Sequence, residues 1–523
     1  MKKVKDIDHK KVLHNKLWDL ANKVRGKINA SEFQQVFLGI LFYRFISEYF
    51  VDKVEENGLK DYSNKNDDDI EVLKMKKDLP DLIGFFIKPS HLFVNLSKDV
   101  HLNENINIDI NDIFNSIVSS ANINDSENIL EGTFPNFNNL NFLNINNNNE
   151  NQLKKKNNII TKTILTVAEI DFGSKFDDHS IDTFGDAYEY LIGMYAASGG
   201  KSGGEFFTPQ EVSKFLANVT LVYKNSKDIY SVYDPTCGSG SLLLKFKKIL
   251  NNPYLHFSGQ ESNPTTFSLS KMNLIIHGVE FDKIDLKCGD TLNDPLHLEK
   301  KFDVVVSNPP YSIAWEDYNE TSIRSDERFN IVPTLMPKSN SDLGFVLHSL
   351  YSLDKKGVAA IVCFPGMFYR DNESEVNIRK YLVENNFIEA IIVMPNNMFF
   401  GTSISVNIMV LNKNKQTKDI LFVDASSHFY KDGKKNKMSE QNIENVLKIV
   451  KDRKDIENVS KPVANEFFLD KSVNLSPDRF FKKEEVKEEI DIINLNKQLN
   501  EITSKNQKLR EQIKKLIFEL EGK

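Results

Sequence analysis

From about residue 171 onward, short β-rich runs alternate with helical stretches. The β-rich runs are Ile229–Tyr233, Leu255–Gln260, Ile284–Cys288, Phe302–Ser307, Val358–Phe364, Ile388–Met394 and Ser405–Leu411. Strands alternating with helices can bury both faces of a sheet only if the helices cover it, so the pattern predicts an α/β fold on a mostly parallel sheet. Ser405–Leu411 follows its predecessor after a short connection rich in Asn, Phe and Gly, and reads as half of an antiparallel edge pair.

The chain before this region has a different texture. Residues 10–55 read as helix, with Leu13, Leu17, Leu20, Ala21 and Val24, then Phe37, Leu38, Leu41, Phe42 and Phe45 at helical spacing, and a helix start at Ala30-Ser31-Glu32. Phe134 to Asn158 is dense in Asn and reads as a flexible insertion, because Asn favours turns over regular elements. At the other end, Ile492, Leu495, Leu499, Ile502, Asn506, Leu509, Ile513, Leu516 and Leu520 are spaced alternately 3 and 4 apart. That is a heptad seam with one polar residue, suited to a coiled coil with a helical partner. The expected division is a helical domain over 1–165, an α/β domain over 166–480 and an assembly tail over 481–523.

Composition narrows the function. No apolar run approaches the roughly 20 residues needed to cross a bilayer, and the N-terminus lacks a signal-peptide pattern, so a cytoplasmic location is expected. Three dispersed cysteines, Cys237, Cys288 and Cys363, support neither disulfides nor a metal site. The formal net charge of −7 argues against a chain that grips DNA unaided, since phosphate neutralisation supplies most such affinity. Any DNA contact needs locally basic surface or a partner.

Three strand ends carry groups suited to a nucleoside-like cofactor. The first strand runs into Asp234-Pro235-Thr236-Cys237-Gly238-Ser239-Gly240, a glycine turn that lets the backbone approach a ligand. Glu261 ends the second strand and can accept from two ribose hydroxyls, and Asp290 follows the third, placed to accept from an adenine amino group. The chain has no phosphate-binding loop of the NTPase type, and Leu243 stands where a nicotinamide fingerprint needs glycine.

After the fourth strand comes Asn308-Pro309-Pro310-Tyr311. If the Asn308 side-chain oxygen and the Pro309 carbonyl both accept from a ring-conjugated amine, its lone pair becomes available for attack on a methyl sulfonium. Pro309 and Pro310 hold the backbone so that the carbonyl points inward, and Tyr311 offers a face to stack on a planar base. Ordered as they are, these segments resemble the amino-methyltransferases, in the gamma arrangement of DNA methyltransferases. Gly204 to Val212, Gly259 to Thr266, Lys271 to Leu274, Asp186 to Gly193 and the Leu17-Trp18 and Leu38–Ser47 regions are similar to the modification subunits of type I restriction–modification systems, over roughly residues 10–480.

The resemblance implies S-adenosylmethionine as cofactor, contacted by Glu205, Phe206, Phe207, Thr208, Pro209, Gln210, Cys237, Gly238, Ser239 and Glu261. It implies an adenine N6 amine at Asn308, Pro309 and Tyr311. It also implies double-stranded DNA, a separate specificity subunit joined by two modification subunits, and a restriction subunit in the full complex. The segment after Tyr311, through Trp315 to Arg328, resembles a variable loop near the target base, or else is a solvated lid. Competing readings are a protein-glutamine or RNA amino-methyltransferase, a cytosine N4 enzyme, which more often has Ser in place of Asn308, and a non-catalytic assembly subunit.

Overall fold

A computed structural model describes the chain except for residues 1–13, 15–16, 18, 20–29, 122–127, 129, 138–149, 173–175, 177, 199–207, 400–402, 434, 470–471, 482–491 and 522–523. It divides into two compact units, Met1–Pro477 and Asp478–Lys523.

The larger unit begins with helices. The described part of the predicted 10–55 helix is α1 (Ala30–Glu56) and scattered positions before it; most of residues 10–29 lie outside the described residues. Phe37, Leu38, Leu41, Phe42 and Phe45 of α1 are fully or almost fully buried. Further on come α2 (Ile70–Ile83), α3 (Phe93–Asp99), α4 (Ile106–Ser120), α5 (Glu150–Ala168) and α6 (Asp178–Ser198). Arg44 of α1 donates to the Val167 and Ile170 carbonyls, at 2.6 and 2.7 Å. A cation there satisfies the free acceptors at the negative end of α5. The Asn-rich segment is only partly an irregular insertion. Residues 138–149 lie outside the described residues, but from Glu150 the chain is α5, where Asn157 is buried and donates to the Glu104 carbonyl at 2.5 Å. Leu153, Ile160, Ile164 and Val167 give that stretch a helical stripe that the surrounding Asn and Lys residues obscure.

Next come α7 (Gln210–Tyr223), β1 (Ser231–Asp234), α8 (Ser241–Leu250), β2 (His256–Glu261), α9 (Pro264–Ile276), β3 (Ile284–Cys288), β4 (Phe302–Ser307), α10 (Glu320–Ser325), α11 (Asp342–Ser352), β5 (Leu353–Cys363), α12 (Glu373–Glu384), β6 (Ile388–Val393), β7 (Asn407–Asn412), β8 (Asp419–Asp424), the hairpin β9 (Tyr430–Asp432) and β10 (Lys435–Lys437), α13 (Glu440–Asp452) and β11 (Ser460–Ala464). Among the described residues nine strands form one sheet, ordered β11-β8-β6-β7-β5-β4-β1-β2-β3. β7 runs antiparallel to both β5 and β6, and β11 antiparallel to β8; the other pairings are parallel.

The β6–β7 pair is therefore antiparallel as predicted, but it is not an edge. β7 lies between β5 and β6, and the unpredicted β8 and β11 extend the sheet beyond them. Interior placement fits β7, whose residues Asn407–Asn412 are all buried. Strand order reverses between β1 and β4, so the two chains leaving these strands diverge around a crevice at their carboxyl ends.

The smaller unit holds α14 (Ile492–Glu521), 30 residues and about 45 Å long at 1.5 Å per residue. Leu499, Ile502, Leu509, Ile513 and Leu516 of its seam are 47–64% exposed.

Candidate active site

The crevice is built first from backbone. Gly238 and Gly240 follow β1 with φ of +53° and +74°, a region L side chains rarely adopt. A Cβ at Gly240 would stand 2.6 Å from Leu274 Cδ1, and one at Gly259 would stand 2.7 Å from Leu286 Cδ2 and against Cys237. The turn is fastened by Cys237 N donating to the Gln260 carbonyl at 3.0 Å, Gly240 N to the Cys237 carbonyl at 2.8 Å, and Asn273 Nδ2 to the Ser239 carbonyl at 2.8 Å. These bonds give the Lys271–Leu274 segment its purpose. Asn273 holds the glycine turn, while Lys271 reaches to the Glu131 carbonyl at 3.1 Å and ties the helical region to α9.

The acidic groups stand where the sequence placed them. Glu261 Oε2 accepts from Gly238 N at 3.0 Å and Oε1 from Asn263 N at 2.8 Å, leaving lone pairs for hydroxyl donors. Burial raises its carboxyl above the usual carboxylate range. Asp234 is 2% exposed and accepts from Thr236 N at 3.0 Å. Burial pushes the Asp234 carboxyl up to about 7, with the nearby Glu261 charge adding to the rise. Asp290 Oδ1 accepts from the backbone of Leu292 and Asn293, at 2.7 and 3.1 Å.

Across the crevice, β4 delivers Asn308. The step between the two motifs is short: Thr236 Oγ1 and Ser307 Oγ are hydrogen-bonded at 2.8 Å. Asn308 Nδ2 donates to Thr208 Oγ1 at 3.1 Å, and Asn308 Oδ1 accepts from the Tyr311 hydroxyl. Burial raises the Tyr311 phenol, so it stays a protonated donor. Thr208, expected as a cofactor contact, touches the Asn308 amide; Pro209 caps α7 and Gln210 opens it. Glu205, Phe206 and Phe207 lie outside the described residues.

Several contributors escaped sequence reading. Phe399 meets the Tyr311 ring edge-on, centroids 6.5 Å apart; the signal was a pair of aromatics in the connection leaving β6 at the carboxyl edge of the sheet. Ser312, at φ +52°, is pinned by the Asp342 carboxylate, which accepts from its N–H at 2.7 Å, and by Arg370, which donates to its hydroxyl at 3.1 Å. No local pattern links residues 30 and 58 positions apart. The segment after Tyr311 is no solvated lid at its anchors, since Trp315 is 3% and Arg328 1% exposed. Arg328 spends its donors on Asp326, the Thr291 and Leu292 carbonyls, and His348.

Known proteins share this arrangement. Residues 179–513 match the model of N-6 DNA Methylase, and residues 13–157 that of the HsdM N-terminal domain. The chain belongs to the N-6 DNA methylase family. It is 40% identical to the type I restriction enzyme MpnII methylase subunit of Mycoplasma pneumoniae, over 99% of this chain and 97% of that one. It is 29% identical to the MjaVIII methylase subunit of Methanocaldococcus jannaschii, over 98% and 86%. The solved type I restriction-modification system methyltransferase subunit from Streptococcus thermophilus superimposes with a TM-score of 0.78 at 30% identity, covering 90% of this chain and all of that one.

The methylase is thus a DNA methyltransferase that uses S-adenosylmethionine. Its residues fit that cofactor: there is no room for a Cβ at Gly240 or Gly259, and the buried Asp234 and half-buried Glu261 carboxylates at the ends of β1 and β2 suit a ligand that is cationic and carries hydroxyl donors. The bound cofactor supplies an electrophilic methyl group. What the chain itself supplies is the positioning of the reactants.

Proposed function

We propose that the chain transfers a methyl group to the N6 amine of an adenine flipped out of DNA, as the modification subunit of a type I restriction–modification complex. One observation carries the reading. The Thr236–Ser307 bond holds the glycine turn after β1 beside the Asn308–Tyr311 turn after β4, so cofactor and acceptor side chains share one crevice. Asp234, Cys237, Gly238, Ser239, Gly240, Glu261 and Asp290, with Thr208 to Gln210, make up the cofactor side; the cofactor contacts expected of Glu205, Phe206 and Phe207 fall outside the described residues. Asn308 to Tyr311 form the base side. Asn308 Oδ1 and the Pro309 carbonyl accept hydrogen bonds from the two amine N–H groups, which turns the nitrogen lone pair toward the methyl group. The base stacks on Tyr311, and flipping costs about a few kcal/mol.

A separate specificity subunit selects the site, with two modification subunits per specificity subunit and a restriction subunit in the full cytoplasmic assembly. This accounts for a DNA enzyme with a net charge of −7. The test is incubation of the chain, with and without its co-expressed specificity subunit, with DNA and methyl-labelled S-adenosylmethionine. The expected label is N6-methyladenine, dependent on the specificity subunit and lowered by about 10²–10³ in Asn308→Ala. Label in N4-methylcytosine, or in protein rather than DNA, overturns the reading.

A further inference from the structure

Asn293 belongs to none of the recognised sequence segments, yet its side chain touches both halves of the site. Its Nδ2 donates to Asp290 Oδ2 at 3.2 Å and to the Glu316 carbonyl at 2.9 Å, and its Oδ1 accepts from Trp315 Nε1 at 2.8 Å. The orientation is unambiguous, because an indole nitrogen only donates while carboxylate and carbonyl only accept. Asp290 Oδ1 already accepts two backbone N–H groups, so Oδ2 is the oxygen with capacity left for a ligand, and Asn293 is what holds it.

Trp315 is four residues beyond Tyr311 and is itself fixed. Its backbone N–H donates to the Lys338 carbonyl at 2.9 Å, its ring meets Phe329 edge-on at 5.2 Å, and Gly344 makes room where a Cβ would stand 3.0 Å from Cζ3. Arg328, from the same segment, grips the carbonyls of Thr291 and Leu292 at 2.7 and 2.6 Å. The turn bearing Asp290 is therefore held from the segment that follows the catalytic turn.

We propose that Asn293 is a positioning residue that couples the target-base side of the site to the cofactor side, by linking Trp315 to the Asp290 carboxylate. This rests on the reading that Asp290 accepts from the cofactor's adenine amino group. By linkage, whatever shifts Trp315 changes cofactor affinity, and cofactor binding changes the surroundings of Trp315 by the same coupling.

The chain has two tryptophans, so a Trp18→Phe background makes emission report Trp315 alone. The full chain is titrated with unreactive S-adenosylhomocysteine, following Trp315 emission and, by calorimetry, affinity. Expected are an emission change on binding, its loss in Asn293→Ala, and weakening of affinity by about fivefold or more in Asn293→Ala and Trp315→Phe. Trp315→Phe keeps an aromatic ring but removes the donor together with part of the packed surface, and its KM for S-adenosylmethionine should rise with kcat little changed. Asp290→Ala is the control. If it binds like the parent chain, the underlying reading of Asp290 falls and the proposal with it. If it binds weakly while Asn293→Ala and Trp315→Phe bind normally, or if emission is unmoved by ligand, the coupling is overturned and the reading of Asp290 stands.

Discussion

The Tyr311 hydroxyl donates a hydrogen bond to the side-chain oxygen of Asn308, three residues earlier on the same turn. The acceptor proposed for the substrate amine thus already carries one donor and offers its second lone pair. Tyr311→Phe keeps the stacking face and frees the oxygen, so kcat should change by less than about tenfold, whereas Asn308→Ala should lower it by about 10²–10³, comparable to loss of one preorganised polar group. Steady-state methylation with saturating cofactor separates the two.

The raised Asp234 carboxyl predicts a pH dependence. With Asp234 on the proposed cofactor side, a cationic cofactor favours its ionised form, so affinity should strengthen as pH rises through about 7 and be accompanied by proton release below that value. In the free chain the same shift favours folding at low pH, and that contribution is lost as pH rises through about 7. Added cofactor should therefore raise Tm more at pH 8 than at pH 6. Calorimetry in buffers of differing ionisation enthalpy checks the proton count.

Gly240→Ala forces an L residue to φ +74° and sets a methyl 2.6 Å from Leu274 Cδ1. It should cost about 1–3 kcal/mol in stability and weaken cofactor binding. Urea unfolding with and without cofactor measures both.

Asp342→Ala removes the acceptor for Ser312 N–H and one of two carboxylates around Arg370, which retains Glu375 at 3.2 Å. A loss of about 1–3 kcal/mol is expected, with a fall in kcat and little change in cofactor affinity, because the base side alone is loosened. Thermal unfolding and cofactor titration check the split.

Leu509 and Leu516 are 47% and 57% exposed on α14. Leu509→Asp with Leu516→Asp should leave the isolated chain within about 0.5 kcal/mol of its parent. It should abolish co-purification with the specificity subunit if the seam docks a partner helix; deletion of residues 486–523 is the coarser version.

Local signals carried much of the fold. β3 and β4 have the predicted limits, β6 ends one residue early, and β1, β2 and β7 are shifted by one or two residues at each end, because alternation and flanking turn residues are written within a few positions. β5 starts earlier than predicted, at Leu353, where Asp354, Lys355 and Lys356 interrupt the apolar pattern. β11 was hidden by Pro462, whereas β8 is as long as β6 and β7 and carries an apolar run, Ile420 to Val423, that was itself a strand signal. Pro462 sits on a strand that lies last in the sheet order, where a missing N–H is tolerated.

By itself, then, the sequence determined which chemistry the chain carries: the glycine turn, Glu261, Asp290 and Asn308 to Tyr311 are contiguous words whose residue types are dictated by backbone geometry and hydrogen-bonding capacity. Only the tertiary structure decided how these words are held. Thr236 meets Ser307, Asn293 meets Trp315, and Asp342 meets Ser312 across separations of 71, 22 and 30 residues. Such pairs are set by strand order and loop closure, which bring together side chains that no local periodicity relates.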